Sequence, residues 1–195
     1  MTSHADPSAK AIKTLDKDLN RIGLLEQATM FTARPLVGPG IALVFIVLAG
    51  LGAATIMGAG AGTWVVVMAA AIGAYMALNI GANDVANNMG PAVGAKAVTL
   101  GGALLIAAIC ETAGALLAGG DVVSTVSRGI VAPESVAEPA IFVWAMMAAL
   151  LAGALWIHLA TAMGAPVSTT HSIVGGVMGS GIAAAGLSAV NWSVM

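Results

Sequence analysis

Long apolar segments dominate the chain after residue 40, and they predict membrane-spanning helices. Five stretches of about 20 residues carry at most one Asp, Glu, Lys, Arg or His residue each. They are residues 41–58, 64–82, 98–118, 140–163 and 172–190. A helix of that length crosses the hydrocarbon core of a bilayer, and it satisfies its backbone hydrogen bonds without water. The pattern predicts an all-α, polytopic helical bundle, with the glycine-rich last stretch as its weakest span.

A polar, basic tail precedes these segments and occupies residues 1–35. Apolar residues recur there at helical spacing from Leu15 to Leu25, which predicts a short amphipathic helix over 11–30. Five of the seven Lys and Arg residues lie in the tail: Lys10, Lys13, Lys17, Arg21 and Arg34. Cationic segments stay on the cytoplasmic side of a membrane. We therefore expect a cytoplasmic N terminus, followed by a transmembrane domain over 36–195.

The composition indicates a closely packed bundle and excludes several other classes of protein. Charged residues make up 8% of the chain, whereas soluble domains have about 25%. The 25 glycines allow transmembrane helices to approach closely. A single cysteine, Cys110, excludes an intrachain disulfide and a cysteine-rich metal site, and the net charge of -2 gives no reason to expect nucleic acid as a partner. We expect residues 119–139, which carry four charged side chains, to be the one clear water-exposed connection.

The first polar motif runs from Asn79 to Pro91 and directly follows an apolar run. In a helix, Asn83 lies beside Asn87, and Asp84 lies beside Asn88. One face of the helix then carries a carboxylate and three amides. The alternative is a polar loop outside the membrane, in which the Asn and Asp residues form turns.

Helix breakers follow this motif and bear on its chemistry. We expect Gly90–Pro91 and Gly94 to break the helix, which membrane proteins tolerate where the break lines a cavity or is buried. Carboxylate, amide and free carbonyl oxygens would then suit a hard cation, such as Na⁺ at Asn83 and Asp84. Amide and helix N-terminal N–H groups would instead suit an oxyanion.

The second polar motif is the segment 164–171, GAPVSTTH, which precedes the last apolar stretch. A proline at the start of a half-helix leaves the following N–H groups unpaired. Together with the hydroxyls of Ser168, Thr169 and Thr170, these N–H groups form an anion site without positively charged side chains. We expect His171 to orient the hydroxyl groups. In the alternative, the hydroxyls bond back to the preceding turn of an ordinary helix.

Glu111 is the third candidate, because a charged group in the middle of a spanning helix is expensive and marks a functional site by default. Its helical neighbours are alanine and glycine, so we expect Glu111 to point into the bundle. It either helps to hold a coupling cation or forms a structural ion pair with Lys96. For His158, on an otherwise apolar helix, we expect a packing role.

The motifs resemble those of a known family. The strings are GANDVANNMGPAVGAKAVTL at Gly81–Leu100, with its continuation to Glu111–Thr112, and PVSTTHSIVG at Pro166–Gly175. In this order they resemble the signatures of the PiT family, the inorganic phosphate transporters, and the resemblance covers about residues 64–190. It implies two related repeats of opposite topology, of which this chain contains one. We therefore expect the N-terminal half of a transporter, cut short at Met195.

The resemblance also implies a function and a site. The function is symport of inorganic phosphate, alone or as a metal complex, with Na⁺ or H⁺ across the bacterial inner membrane. The implied substrate and ion site contains Asn83, Asp84, Asn87, Ser168, Thr169 and Thr170, with Glu111 as a sensitive carboxylate. From the residues themselves we add Asn88 to the site, with His171 and Lys96 as supporting groups. Expected partners are membrane lipid, an absent C-terminal repeat or a second copy of the chain, and no cofactor beyond the coupling ion.

One chemical argument favours phosphate, and two other functions stay open. Phosphate carries an O–H group at neutral pH, so a buried carboxylate such as Asp84 accepts its hydrogen bond and repels sulfate. The open alternatives are transport of another oxyanion, such as sulfate, and a non-transporting membrane scaffold. The sequence has no G-x-x-x-x-G-K-[ST] loop for ATP. Nothing supplies a nucleophile beside Asp84 and His171, so we expect no enzyme.

Overall fold

Five α-helices make up most of the part of the chain that the structure describes. This computed structural model describes the backbone of residues 7–193 and the side chains of residues 17, 19–24 and 34–193. The helices are α1 (Pro7–Met57), α2 (Thr63–Gly94), α3 (Leu100–Ser124), α4 (Pro139–Ala162) and α5 (Thr169–Ala185). The structure is 84% helical, and its described residues contain no strand, only an isolated bridge between Val131 and Val190. The predicted all-α class is confirmed.

The chain divides into two compact units, Met1–Phe45 and Ile46–Met195. Helix α1 continues through Pro35 and Pro39, so the predicted end of a short helix at residue 30 is wrong. Prolines are tolerated inside transmembrane helices because side chains, waters and local adjustments satisfy the freed backbone groups. The amphipathic pattern predicted for the tail rests partly on Leu15 and Leu25, whose side chains lie outside the described residues.

Four helical segments are long and apolar enough to cross a membrane. They are Arg34–Met57, Thr63–Gly94, Leu100–Gly129 and Pro139–Ala162. The fifth predicted span, 172–190, is not among them, because α5 has 17 residues and ends where Gly186 adopts a φ of 83°. Such a helix is about 26 Å long, shorter than the ~30 Å hydrocarbon core. A short helix here agrees with the half-helix expected after Pro166.

Helix α2 continues past the first of its predicted breaks. Gly90 and Pro91 lie inside the helix, which ends at Gly94. A proline inside a helix removes one backbone donor, and it can bend a long helix without ending it. The break at Gly90–Pro91 is therefore wrong, the end at Gly94 is confirmed, and the first polar motif lies on a continuous helix.

The segment 119–139 is only partly the water-exposed connection that its charges predict. Its four charged side chains are exposed, but part of the segment is helical and part packs against the core. Helix α3 continues to Ser124, and a π-helical turn follows at Thr125–Gly129. Beyond that turn, three apolar side chains are buried against α5 and the residues after it: Ile130, Val131 and Val136. The backbone N–H of Asn191 donates to the carbonyl oxygen of Ile130 at 2.9 Å. The predicted exposure is thus confirmed for the charged side chains, whereas the apolar residues between them pack into the core.

Helix α4 lies at the centre of the packing in the second unit. Ala154 and Ile157 have no exposed surface. A Cβ added at Gly176 of α5 would lie 2.6 Å from the carbonyl oxygen of Ala149, and one at Gly153 would lie 3.2 Å from Met76 of α2. Small residues thus let α2 and α5 pack closely on α4, as is typical of transmembrane helices. This packing brings the start of α5 to the polar face of α2.

Candidate substrate and ion site

Helix α2 carries a row of amide side chains that begins in the core. Asn79 is 8% exposed and Asn83 is 3% exposed. Asn79 Nδ2 donates to the carbonyl oxygen of Tyr75 at 2.8 Å, and Asn87 Nδ2 donates to Asn83 Oδ1 at 2.8 Å. The predicted pairing of Asn83 with Asn87 one turn apart is confirmed. Because buried polar groups need hydrogen-bond partners, these bonds hold the amides in defined orientations.

Asn83 is also bonded across to α4. Its Nδ2 donates to Thr161 Oγ1 at 3.1 Å, and Thr161 lies in the last turn of that helix. Sequence analysis missed Thr161, because a single threonine in an apolar helix does not stand out as a motif. The one signal was its position just before the segment 164–171. Thr161 ties the first polar motif to the helix that leads into the second.

The second motif forms the N terminus of α5. Ser168 is the N-cap residue, with φ −79° and ψ 116°, and its Oγ accepts from the backbone N–H of His171 at 3.3 Å. The same Oγ lies 2.7 Å from His171 Nδ1, as expected for a histidine that orients a hydroxyl. Thr169 and Thr170 are the first two residues of the helix. The alternative of back-bonding hydroxyls is wrong for Ser168, which caps the helix.

The two motifs meet at Asp84. The hydroxyl of Thr169 lies 3.2 Å from both Oδ1 and Oδ2 of Asp84, and it donates to the carboxylate. Asn87 Nδ2 also lies 3.4 Å from the carbonyl oxygen of Val167. Thr169 is 9% exposed and Asp84 is half-buried. Carboxylate and amide oxygens of α2 thus lie next to the hydroxyl and N–H groups at the start of α5.

Two other predicted site residues lie beside this contact without joining it. Asn88 and Thr170 are exposed, and within the described part of the chain neither side chain makes a hydrogen bond. Asn88 lies one turn from Asp84 on α2, as the helical spacing predicts, but the carboxylate is bonded to Thr169 and not to Asn88. Thr170 lies one residue further along α5 and leaves its hydroxyl free at the helix end.

Glu111 and Lys96 are not brought to the site. Every residue of α3 from Ala108 to Ala118 is exposed, so the expectation that Glu111 points into the bundle is wrong for this chain. Lys96 is exposed just after α2, with a φ of 59°, and no ion pair joins it to Glu111 in the region described by the structure. The alanine and glycine residues beside Glu111 leave room for another helix to pack there, but no helix of the described chain does so.

The donors at the contact suit a hard cation better than a transition metal. Among the side chains that the structure describes, no group of three His, Cys, Asp or Glu residues could hold a metal, and Asp84 is accompanied by amide oxygens. Such oxygen ligands favour hard ions. His158 lies elsewhere, exposed on α4, with its ring centroid 5.9 Å from that of Tyr75. This is the packing role predicted for it.

Comparison with known proteins identifies the family. The model of the phosphate transporter family matches residues 80–195, which contain the first polar motif from Ile80 onwards and all of the second. The chain belongs to the phosphate transporter family. This confirms the resemblance to the inorganic phosphate transporters. It also confirms the prediction that the protein is not an enzyme, because the family consists of transporters.

Relatives of this family member carry related names. A Helicobacter pylori strain J99 protein named "Putative phosphate permease" is 51% identical over 175 residues, 90% of this chain and 33% of the relative. A Thermococcus kodakarensis protein, also named as a phosphate permease, is 49% identical over 124 residues, 64% of this chain and 30% of the relative. The chain thus spans about a third of the length of the curated relatives it matches.

A solved structure, named "The sodium-dependent phosphate transporter", shares the fold. It is 48% identical to this chain, with a TM-score of 0.63 over 67% of this chain and 32% of that one. Together with the four apolar helices, this similarity shows that the chain is a multi-pass membrane protein of the predicted class.

Proposed function

We propose that this chain supplies a phosphate and Na⁺ site to a secondary transporter of inorganic phosphate in the bacterial inner membrane. The observation that carries the proposal is the contact between Thr169 and Asp84, which joins the polar face of α2 to the N terminus of α5. This contact puts groups that favour a cation next to groups that favour an anion, as symport requires. Membership of the phosphate transporter family supports phosphate as the anion.

The N terminus of α5 forms the anion side of the proposed site. The first N–H groups of a helix have no partner within it, and they carry partial positive charge. The exposed hydroxyls of Ser168 and Thr170 lie at the same end, where they can donate to phosphate oxygens. Thr169 gives its only hydroxyl hydrogen to Asp84, so it would bind the anion through its backbone N–H.

Helix α2 forms the cation side. Both Nδ2 hydrogens of Asn87 are used, one by Asn83 Oδ1 and one by the carbonyl of Val167. The amide of Asn87 therefore offers only its oxygen. This oxygen, with Asp84 and Asn83, suits Na⁺. Similarity to a solved transporter that is named as sodium-dependent favours Na⁺ over H⁺.

The two sides would be coupled by charge. A Na⁺ ion next to Asp84 lowers the repulsion between this carboxylate and an anion at the start of α5. Each ion then raises the affinity of the other, and by linkage the effect is reciprocal. The carboxylate also accepts the O–H of phosphate, free or as a metal complex, whereas sulfate has no such hydrogen to donate.

The charges of the chain and its family also support proposals about the membrane orientation and the rest of the transporter. The cations of the N-terminal segment favour a cytoplasmic N terminus, and lipid surrounds the apolar spans. A second repeat of opposite topology, or a second copy of this chain, would complete the site from the other side. Transport would then be a rocking of the two repeats about the site.

The substitution Asp84→Asn tests the proposal in the complete protein, reconstituted in proteoliposomes. We expect wild-type vesicles to take up labelled phosphate when a Na⁺ gradient is imposed, with competition by arsenate and not by sulfate. Asp84→Asn should lower uptake roughly 10- to 100-fold, because it removes the negative charge that accepts the phosphate O–H and attracts Na⁺.

Asp121→Asn is the matched control, since it makes the same change at an exposed position of α3 outside the site. It should keep wild-type uptake. If Asp84→Asn keeps normal uptake and an unchanged preference for phosphate over sulfate, Asp84 has no part in the mechanism. Equal competition by sulfate would indicate a general oxyanion transporter, and wild-type vesicles without uptake would favour the scaffold.

A further inference from the structure

His171 lies at the N terminus of α5, the anion side of the proposed site, and the proposed function gives it no role. His171 Nδ1 lies 2.7 Å from Ser168 Oγ, and the backbone N–H of His171 donates to the same oxygen at 3.3 Å. Within the described residues, Ser168 is the only hydrogen-bond partner of the imidazole ring. The ring can therefore act on a ligand at the helix end through the Ser168 hydroxyl.

The tautomer of His171 decides whether the Ser168 hydroxyl donates or accepts in the bond between them. A serine hydroxyl has one hydrogen to donate and two lone pairs to accept with. If Nδ1 carries a hydrogen, the ring and the backbone N–H of His171 fill both lone pairs, and the hydroxyl hydrogen is free for another acceptor. If Nδ1 has no hydrogen, the hydroxyl donates to the ring and has none left. The two forms of His171 thus differ in whether Ser168 can donate to an anion.

We propose that His171 is a positioning residue that holds the Ser168 hydroxyl hydrogen towards the bound oxyanion by adopting the Nδ1–H tautomer. The inference rests on the proposed phosphate site and assigns that site one more donor. The anion itself favours this tautomer, because only this form gives it the Ser168 hydrogen bond. The ring needs no direct contact with the anion and no change of net charge.

Two amide substitutions separate the ring nitrogens. Asn places a side-chain N–H near the position of Nδ1, whereas the longer Gln places its amide near the position of Nε2. His171→Asn therefore retains a donor to Ser168, and His171→Gln and His171→Ala do not. His158→Ala is the control, because this second histidine is exposed on α4, packs near Tyr75 and makes no hydrogen bond to a site residue within the described part of the chain.

The experiment measures KM and the maximal rate of Na⁺-driven phosphate uptake in proteoliposomes. Loss of one hydrogen bond predicts that His171→Ala and His171→Gln raise the KM for phosphate about 3- to 10-fold, with the maximal rate within about twofold of wild type. His171→Asn and His158→Ala should keep a KM close to that of wild type. In a Ser168→Ala background, His171→Ala should cause no further rise, because the hydroxyl it positions is gone.

Several results would overturn the inference alone. One is a rise in KM from His171→Ala that is as large without the Ser168 hydroxyl as with it, which would mean that the ring contacts the anion directly. Another is a His171→Asn variant as impaired as His171→Gln. Melting temperatures show which variants are folded, and the Asn and Gln pair decides the question if the alanine variant does not fold. Wild-type vesicles without Na⁺-driven phosphate uptake would overturn the proposed function itself, and the inference with it.

Discussion

At the residue scale, the site depends on how each polar hydrogen is used. Asn87 donates both amide hydrogens to protein acceptors, and Thr169 donates its hydroxyl hydrogen to Asp84. As a result, the groups still available to a ligand are oxygen acceptors on α2 and hydrogen-bond donors on α5. The amide and hydroxyl side chains alone could donate or accept on either helix. The spacing of Asn83 and Asn87 predicts the hydrogen bond between them. It does not predict the bond from Asn83 to Thr161, which determines the direction in which the amide groups of α2 donate.

The substitution Thr161→Val tests this role. Valine has nearly the shape of threonine but cannot accept the Nδ2 hydrogen of Asn83, which is buried. An unsatisfied buried donor costs about 1–3 kcal/mol, so we expect a lower melting temperature and a raised KM for Na⁺. Thr161→Ser keeps the hydroxyl and is the control. A Thr161→Val protein with wild-type stability and KM would show that Asn83 does not depend on this bond.

At the element scale, the close packing of α4 against α5 positions the second motif. The helices approach through Gly176, whose added Cβ would lie 2.6 Å from the backbone of Ala149. The first four apolar spans were predictable from hydrophobic length, and the start of α5 from its proline and hydroxyl residues. The continuation of α2 through Pro91 was not, because a proline alone does not determine whether a helix bends or ends.

Two neighbouring glycines of α5 provide a paired test of this packing. Gly176→Ala should destabilise the protein by about 1–3 kcal/mol, because the new methyl group overlaps backbone atoms of α4 that cannot move aside. Gly175→Ala adds the same group where no atom lies within 4 Å. It should be neutral or stabilising, because alanine favours a helix. Thermal unfolding in detergent measures both, and equal melting temperatures would contradict the predicted close contact.

At the scale of the whole molecule, the spans set which side of the membrane each connection reaches. If the N terminus is cytoplasmic, as we propose, the connection between α2 and α3 would be cytoplasmic, and the connection between α3 and α4 would be on the outer side. Lys96 lies in the first of these, in agreement with the tendency of cations to stay inside. Glu111 is exposed on the α3 span between them, where a charge against lipid is expensive.

Cysteine labelling of intact cells tests this topology. In a Cys110→Ser background, Glu134→Cys should react with a membrane-impermeant maleimide from outside. Ala97→Cys, which is also exposed, should react only after the membrane is permeabilised. One span separates the two positions, so they must label from opposite sides. The reverse pattern would place the N terminus outside and contradict the expectation drawn from the tail.

The sequence by itself determined the membrane class, the first four spans and the two polar motifs, because these depend on local hydrophobicity and on residue types at fixed spacing. The tertiary structure decided which candidates meet. Packing of α2 and α5 on α4 brought Thr169 to Asp84 and Thr161 to Asn83, while Glu111 stayed exposed. Contacts between distant segments depend on how whole helix faces fit together, and no local pattern records that fit.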